Sequence, residues 1–168
     1  RQRASPQFLL LAILIFLAGK AALAENIDPD NNGSQYAWAE NIGWINLQPS
    51  GPGGPGVQVS DSGLTGWAWS ENAGWISLSG ASYGVTNNGC GMLGGYAWSE
   101  NAGWINFQGV LIVPKTGEFS GSAWGENVGW ITLSSSGPNP YKVTTGWRRA
   151  VPVGANLLTV DKPSSTES

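Results

Sequence analysis

Four gap-free copies of one short motif constrain this chain more than any other feature. Segments 36–47 (YAWAENIGWINL), 67–78 (WAWSENAGWISL), 96–107 (YAWSENAGWINF) and 122–133 (SAWGENVGWITL) share Ala-Trp-x-Glu-Asn-x-Gly-Trp-Ile, seven positions of nine. Their first tryptophans, Trp38, Trp69, Trp98 and Trp124, lie 31, 29 and 26 residues apart. Self-similarity at such a period means one supersecondary unit used repeatedly, each copy covering the apolar surface of the next. Eight of the 10 tryptophans occupy the two motif positions, so chance is not a serious alternative.

Each copy reads as a β-hairpin. Its flanks carry Trp, Ile, Tyr, Leu and Phe, which suit a pleated surface, and Glu-Asn-x-Gly between them supplies turn residues. With 71–74 as a four-residue loop, Trp69 faces Ile76 and Trp67 faces Leu78. Alternation then predicts a bulky core face of Trp67, Trp69, Ile76 and Leu78. It places the second tryptophans, Trp44, Trp75, Trp104 and Trp130, on the opposite face. A third short strand follows each hairpin, at 57–59, 83–86, 110–113 and 141–144, after loops rich in Gly, Pro and Ser.

The expected fold class is therefore all-β: four repeats of about three short antiparallel strands. The chain begins its repeats on a hairpin and ends them on a third strand. That displaced phase lets the last strand pair with the first hairpin and close the array, which removes two exposed sheet edges. A closed barrel-like or small propeller-like body is expected, with an open or stacked β-meander as the alternative. The organisation expected is a signal segment at 1–24, a linker at 25–35, the repeat domain at 36–150 and a tail at 151–168.

The run Ala-Trp-Ser-Glu-Asn-Ala-Gly-Trp-Ile, with Tyr-Gly-Val upstream and Val-Thr-Thr-Gly-Trp-Arg near the end, resembles β-repeats of exported bacterial proteins of unknown function. The likeness spans about residues 36–149. It implies a bacterial extracytoplasmic repeat protein, and it brings no catalytic residue with it.

Composition narrows the chemistry. The chain has no His and a single cysteine, Cys90. His-based acid–base catalysis, His/Cys zinc sites and an internal disulfide framework are thereby excluded. Cys90 is expected to be an ordinary thiol, or a link between two chains. Arg1 and Arg3 precede the ten-residue apolar run 8–17, and Ala22-Leu23-Ala24 follows, which together describe a secretory signal cleaved after Ala24. Ten apolar residues fall short of the roughly 20 needed to span a bilayer, and no later segment is long and apolar enough. The expected location is secreted or extracytoplasmic, in the periplasm or at the cell surface. Cleavage removes Arg1, Arg3 and Lys20 from the 8 basic residues, leaving 5 against 11 acids. Such a chain lacks the positive footprint that nucleic acid requires.

Glu40, Glu71, Glu100 and Glu126 are the candidate carboxylates. Glycoside hydrolysis needs two carboxyl groups in unlike environments, and these four occupy one equivalent position. Turn structure or repeated ligand contact explains them better than catalysis does. Asn41, Asn72, Asn101 and Asn127 read first as turn residues and second as ligand contacts. Trp44, Trp75, Trp104 and Trp130 either cover a glycine or alanine of a neighbouring strand or form platforms for sugar rings. Asp28, Asp30 and Asn32 match the start of a D-x-D-x-N-G calcium loop, the one hint of a cofactor, but Ala39 stands where the bidentate Glu belongs. A solvated linker is the simpler reading. The functional expectation is a non-enzymatic scaffold or binding module, with a glycan or cell-surface component as partner; the alternative is a secreted glycoside hydrolase using Glu and Asp.

Overall fold

The computed structural model describes residues 25–50 and 56–150. The expected signal segment and the tail from 151 lie outside the described residues. Thirteen short strands run in the order β1 (Glu25–Asn26), β2 (Tyr36–Ala39), β3 (Gly43–Asn46), β4 (Gln58–Val59), β5 (Gly63–Thr65), β6 (Trp67–Ser70) and β7 (Gly74–Ser77). They continue as β8 (Val85–Asn87), β9 (Leu93–Ser99), β10 (Gly103–Asn106), β11 (Val110–Ile112), β12 (Phe119–Gly125) and β13 (Gly129–Thr132). No helix occurs among the described residues, so the all-β expectation holds.

The four motif copies are the hairpins β2–β3, β6–β7, β9–β10 and β12–β13. Each pairs with the next, β3 with β6, β7 with β9 and β10 with β12, and β13 returns to β2. The result is a closed eight-stranded antiparallel barrel, neither a propeller nor an open meander. Junctions repeat their register: Ile45 faces Ser70, Ile76 faces Ser99, and at the closing seam Ile131 faces Ala39.

Within each hairpin the register differs by one residue from the sequence expectation. Trp69 faces Trp75 and Ala68 faces Ile76, with Ser70 opposite Gly74. The turn is thus the three residues Glu71–Asn72–Ala73, and Gly74 already belongs to the ladder. Gly43, Gly74, Gly103 and Gly129 have φ of 73°, 72°, 76° and 71°, the left-handed geometry that returns a tight turn to a twisted ladder. A one-residue slip turns over one strand of the hairpin relative to the other, so Ile76 and Leu78 keep the buried places expected of them and the first strand is reversed. The predicted core face is corrected accordingly: Trp67 and Trp69 point outward, and Ala68 and Ser70 point in.

The interior is made of stacked four-membered layers. Ala37, Ala68, Ala97 and Ala123 form one, Ile45, Ile76, Ile105 and Ile131 another, and Leu47, Leu78, Phe107 and Leu133 a third, all buried. Small and branched side chains fill an eight-stranded barrel without leaving a ligand chamber. A void of about 20 Å³ remains among the Ile and Leu layers. At the hairpin tips, two buried positions of each copy vary in size. Ala39 goes with Ile42, Ser70 with Ala73, Ser99 with Ala102, and Gly125 with Val128. A Cβ on Gly125 would lie 2.8 Å from a methyl of Val128, so the valine occupies the space the glycine leaves.

The remaining strands extend the barrel away from the hairpin tips. β9 and β12 cross from one tier to the other at Gly95 (φ 72°) and Gly121 (φ 80°), where any Cβ would sit 2.1 Å from a carbonyl oxygen. Ladders β1–β4–β5–β8–β9 and β11–β12 make up most of the second tier. Bridges Met92↔Leu111, Glu118↔Thr144 and Ile27↔Thr145 complete it. The segment 141–144, expected as a third strand, makes single bridges here. It joins the chain's start rather than the first hairpin: the Thr144 amide donates to the Ser34 carbonyl at 2.9 Å, and the Asp28 amide donates to the Thr144 carbonyl at 2.9 Å. Residues 25–35 are consequently not a free linker, for Ile27 is fully buried. Buried Trp147 closes this end, its indole N–H donating to Asp61 at 2.9 Å, with Arg149 on the other Asp61 oxygen at 2.7 Å.

Candidate functional site on the outer barrel wall

Because the ladder pairs Trp with Trp, both tryptophans of each motif stand on the outer wall. Trp38 and Trp44 meet edge to face with centroids 5.0 Å apart and Trp69 and Trp75 at 4.9 Å, while Trp98 and Trp104 are tilted at 4.6 Å. Trp124 and Trp130 are likewise directly opposite each other on the ladder. The expectation that first and second tryptophans occupy opposite faces is overturned by this register.

The second tryptophans are 49%, 37%, 50% and 52% exposed at Trp44, Trp75, Trp104 and Trp130. A further ring flanks three of them diagonally: Tyr36 at 6.3 Å from Trp44, Trp67 at 6.4 Å from Trp75, and Tyr96 at 6.2 Å from Trp104. Tyr141 adds an edge contact to Trp44 at 5.1 Å, and Tyr83 one to Trp104 at 5.2 Å. Such contacts hold the rings in fixed orientations and add about 0.5–1.5 kcal/mol per pair. The expected covering of a small residue is made by the first tryptophans instead: a Cβ on Gly43 would touch the Trp38 ring at 3.7 Å, and one on Gly74 the Trp69 ring at 3.9 Å. The tyrosines were not among the residues singled out from the sequence. Strand alternation in the correct register would have placed Tyr36 and Tyr96 beside the tryptophans, whereas Tyr83 and Tyr141 arrive from the second tier.

The asparagines form a belt of hydrogen bonds between neighbouring turns. Asn72 Nδ2 donates to the Ile42 carbonyl at 2.9 Å, Asn101 to the Ala73 carbonyl at 3.0 Å, and Asn127 to the Ala102 carbonyl at 3.2 Å. Asn41 closes the belt across the seam by donating to the Asn127 carbonyl at 3.2 Å. Turn chemistry predicted a local role; the bonds reach instead from each repeat to the one before it.

The glutamates sit on the exposed tips. Glu71 accepts the Trp69 indole N–H at 2.9 Å, and Glu40 accepts the Trp130 amide N–H at 2.9 Å, while Glu100 and Glu126 are open to solvent. The tips thus place one carboxylate per repeat in related, wet surroundings.

Asp28 lies apart from the wall, in the turn that interrupts the first copy's lead-in strand. Its carboxylate accepts the Asn32 amide at 3.0 Å, the Gly33 amide at 2.9 Å and the Ser34 hydroxyl at 3.0 Å. Burial alone would push this carboxyl up. The donors of Asn32, Gly33 and Ser34 outweigh it and hold Asp28 below the ordinary aspartate range. Both Asp28 oxygens are engaged in closing the turn, and Asp30 and Asn32 are exposed. No cluster of three or more potential metal-ligating His, Cys, Asp or Glu side chains occurs among the described residues. Cys90 is exposed.

The rings of the wall are held by their neighbours, offer flat apolar surface and carry N–H and O–H donors at their edges. No family model matches this chain, and no curated protein or solved structure matches it either.

Proposed function

We propose that the chain is a non-enzymatic, exported β-barrel scaffold whose outer aromatic wall binds carbohydrate outside the cell. One observation carries this reading: the motif tryptophans stand on the outer wall, while the barrel core is built of Ala, Ile, Leu and Phe. Nine Trp and Tyr side chains of the wall are each 37–52% exposed, a large apolar surface for a soluble body to leave in water. The C–H face of a pyranose ring is flat, apolar and fringed with hydroxyls, which suits indole faces bordered by Asn and Glu.

Physical arguments weigh against other partners. The negative balance of the mature chain disfavours phosphate backbones. Barrel strands of four to seven residues fall short of the roughly 9–11 needed to cross a bilayer. Four glutamates at equivalent tips supply no acid–base asymmetry for hydrolysis. The run of apolar residues at 8–17 before Ala24 supports export.

A glycan array probed with the mature chain, followed by Trp75→Ala, tests the proposal. Binding should fall tenfold or more while the melting temperature drops by a few degrees. No glycan signal, together with a large loss of stability in Trp75→Ala, would leave the wall with a packing role only.

A further inference from the structure

A cleft of about 620 Å³ opens where the first and last repeats meet. Its walls come from the inserted turn at 32–34, the second-tier turn and strand at 113–120, and the linker and return segment at 134–142. That volume is of the size that ligand sites usually have. Buried Phe119 lies at the base, and Ser120 and Ser134 stand half-buried along the sides. Lys142 and Glu118 form an ion pair in the wall, so the cleft has one positive and one negative group. Tyr141 belongs to both places: it lines the cleft, and its ring meets Trp44 edge to face at 5.1 Å. Its hydroxyl reaches the Thr132 carbonyl at 3.5 Å, which helps fix the ring.

We propose that this cleft is a subsite for one hexose-sized unit of an uncharged glycan, with further units of the same chain running past Tyr141 onto Trp44. The inference rests on the reading of the wall as a carbohydrate surface and adds to it a location and a ligand charge. Hydroxyl groups of a neutral sugar can donate to Glu118 and accept from Lys142 together. An anionic sugar or phosphate would have Glu118 against it, and a cationic one Lys142. Serine hydroxyls serve as both donors and acceptors, matching a ligand whose groups are also both. The cleft forms where three segments converge, the turn at 32–34, the segment 113–120 and the linker and return segment 134–142. It is thus a single feature of the closing seam, unlike the repeated wall.

The test is titration calorimetry of the mature chain with cellohexaose, mannohexaose, xylohexaose and chitohexaose. Galacturonic acid hexamers and inorganic phosphate serve as charged comparisons. The expected result is binding of at least one neutral hexamer, weakened about tenfold by Tyr141→Ala and also by Ser120→Tyr. The second variant fills an open cleft and removes no packing, so it stays informative if Tyr141→Ala folds poorly. Unchanged affinity in both variants, with weakening by Trp75→Ala, overturns the subsite and leaves the wall reading standing. Loss in the cleft variants with no effect of Trp75→Ala or Trp104→Ala supports the subsite and overturns the wall. Salt-dependent binding of the charged probes alone overturns the assignment of a neutral ligand, and no binding by any probe overturns both readings.

Discussion

Replacing Asn72 with alanine separates a structural belt from a ligand contact. The substitution removes one Nδ2–H···O bond of 2.9 Å to the Ile42 carbonyl and leaves the ladder pairs of β6 and β7 in place. A neutral hydrogen bond contributes about 1 kcal/mol net, and an acceptor left dry costs about 1–3 kcal/mol. Asn72 itself is exposed, so water reaches the vacated carbonyl and the loss should stay near about 1 kcal/mol. For a chain of this size that lowers the melting temperature by roughly 3–4 °C. Asn101→Ala should behave alike. Asn41→Ala should cost less, because its acceptor belongs to exposed Asn127 and lies 3.2 Å away. Since the four bonds join separate pairs of turns, the quadruple variant should lose about the sum of the singles, roughly 3–4 kcal/mol. Asn72→Asp keeps the shape but turns a carboxylate oxygen toward the carbonyl, and should be worse than alanine at neutral pH. Urea unfolding followed by tryptophan fluorescence measures all of these. Midpoints that coincide with wild type, with glycan binding lost, would refute the belt and make the asparagines recognition residues.

Ile76→Ala removes a side chain 3% exposed from the tightly packed barrel and should cost about 3 kcal/mol in the same assay. Trp130→Ala, at a residue 52% exposed, should cost less than half as much, and the reverse order would contradict the assignment of faces. Gly95→Ala combines φ of 72° with a Cβ 2.1 Å from the Gly84 carbonyl oxygen, and should fail to give a folded chain by circular dichroism. Gly33→Ala shares a positive φ of 89° with open space around it, and should cost only about 1–2 kcal/mol. Asp28, held below its ordinary value, contributes stability that is present above about pH 3.9 and is lost as pH falls through its lowered folded value. Melting temperatures between pH 5 and 2 should therefore fall more steeply in wild type than in Asp28→Asn, and parallel curves would count against the charged turn.

The number of hairpins and their boundaries were legible because the motif is nearly identical in each copy; closure was expected too, but β13 on β2 makes it, not the segment 141–144 to which the displaced phase pointed. The register was not legible. Counting Gly74 in the loop or in the ladder changes nothing in residue preferences, yet it decides which face receives the tryptophans. The size of the barrel holds the information that alternation lacks. Eight strands enclose room for layers of four alanines, four isoleucines and three leucines with one phenylalanine, and the first tryptophans, one from each copy, would not fit in place of the alanines. The asparagines were legible as turn residues. Their acceptors were not, because each lies in another repeat and depends on how the copies stack. Tyr141 and the cleft beside it had no sequence signal, being products of the seam between chain start and last repeat.

Inside the barrel the four copies are nearly interchangeable: in every hairpin an alanine of the first strand faces an isoleucine of the second, and only the tip residues vary. The wall is not so regular. The first and third copies gather four rings each, with Tyr141 and Tyr83 recruited from the second tier. The second copy has Trp67, Trp69 and Trp75, and the fourth has Ser122 where the others have an aromatic ring. Closure and packing require the inner sameness, since a barrel of unequal layers leaves voids or overlaps. They place no such demand on side chains that face water. The outer rings therefore have no role in filling the interior that could account for their number, and their uneven grouping divides the wall into unlike sites around a symmetrical core. Of the two four-ring groups, the one with Tyr36, Trp38, Trp44 and Tyr141 reaches the cleft at the closing seam, because Tyr141 both meets Trp44 and lines that cleft.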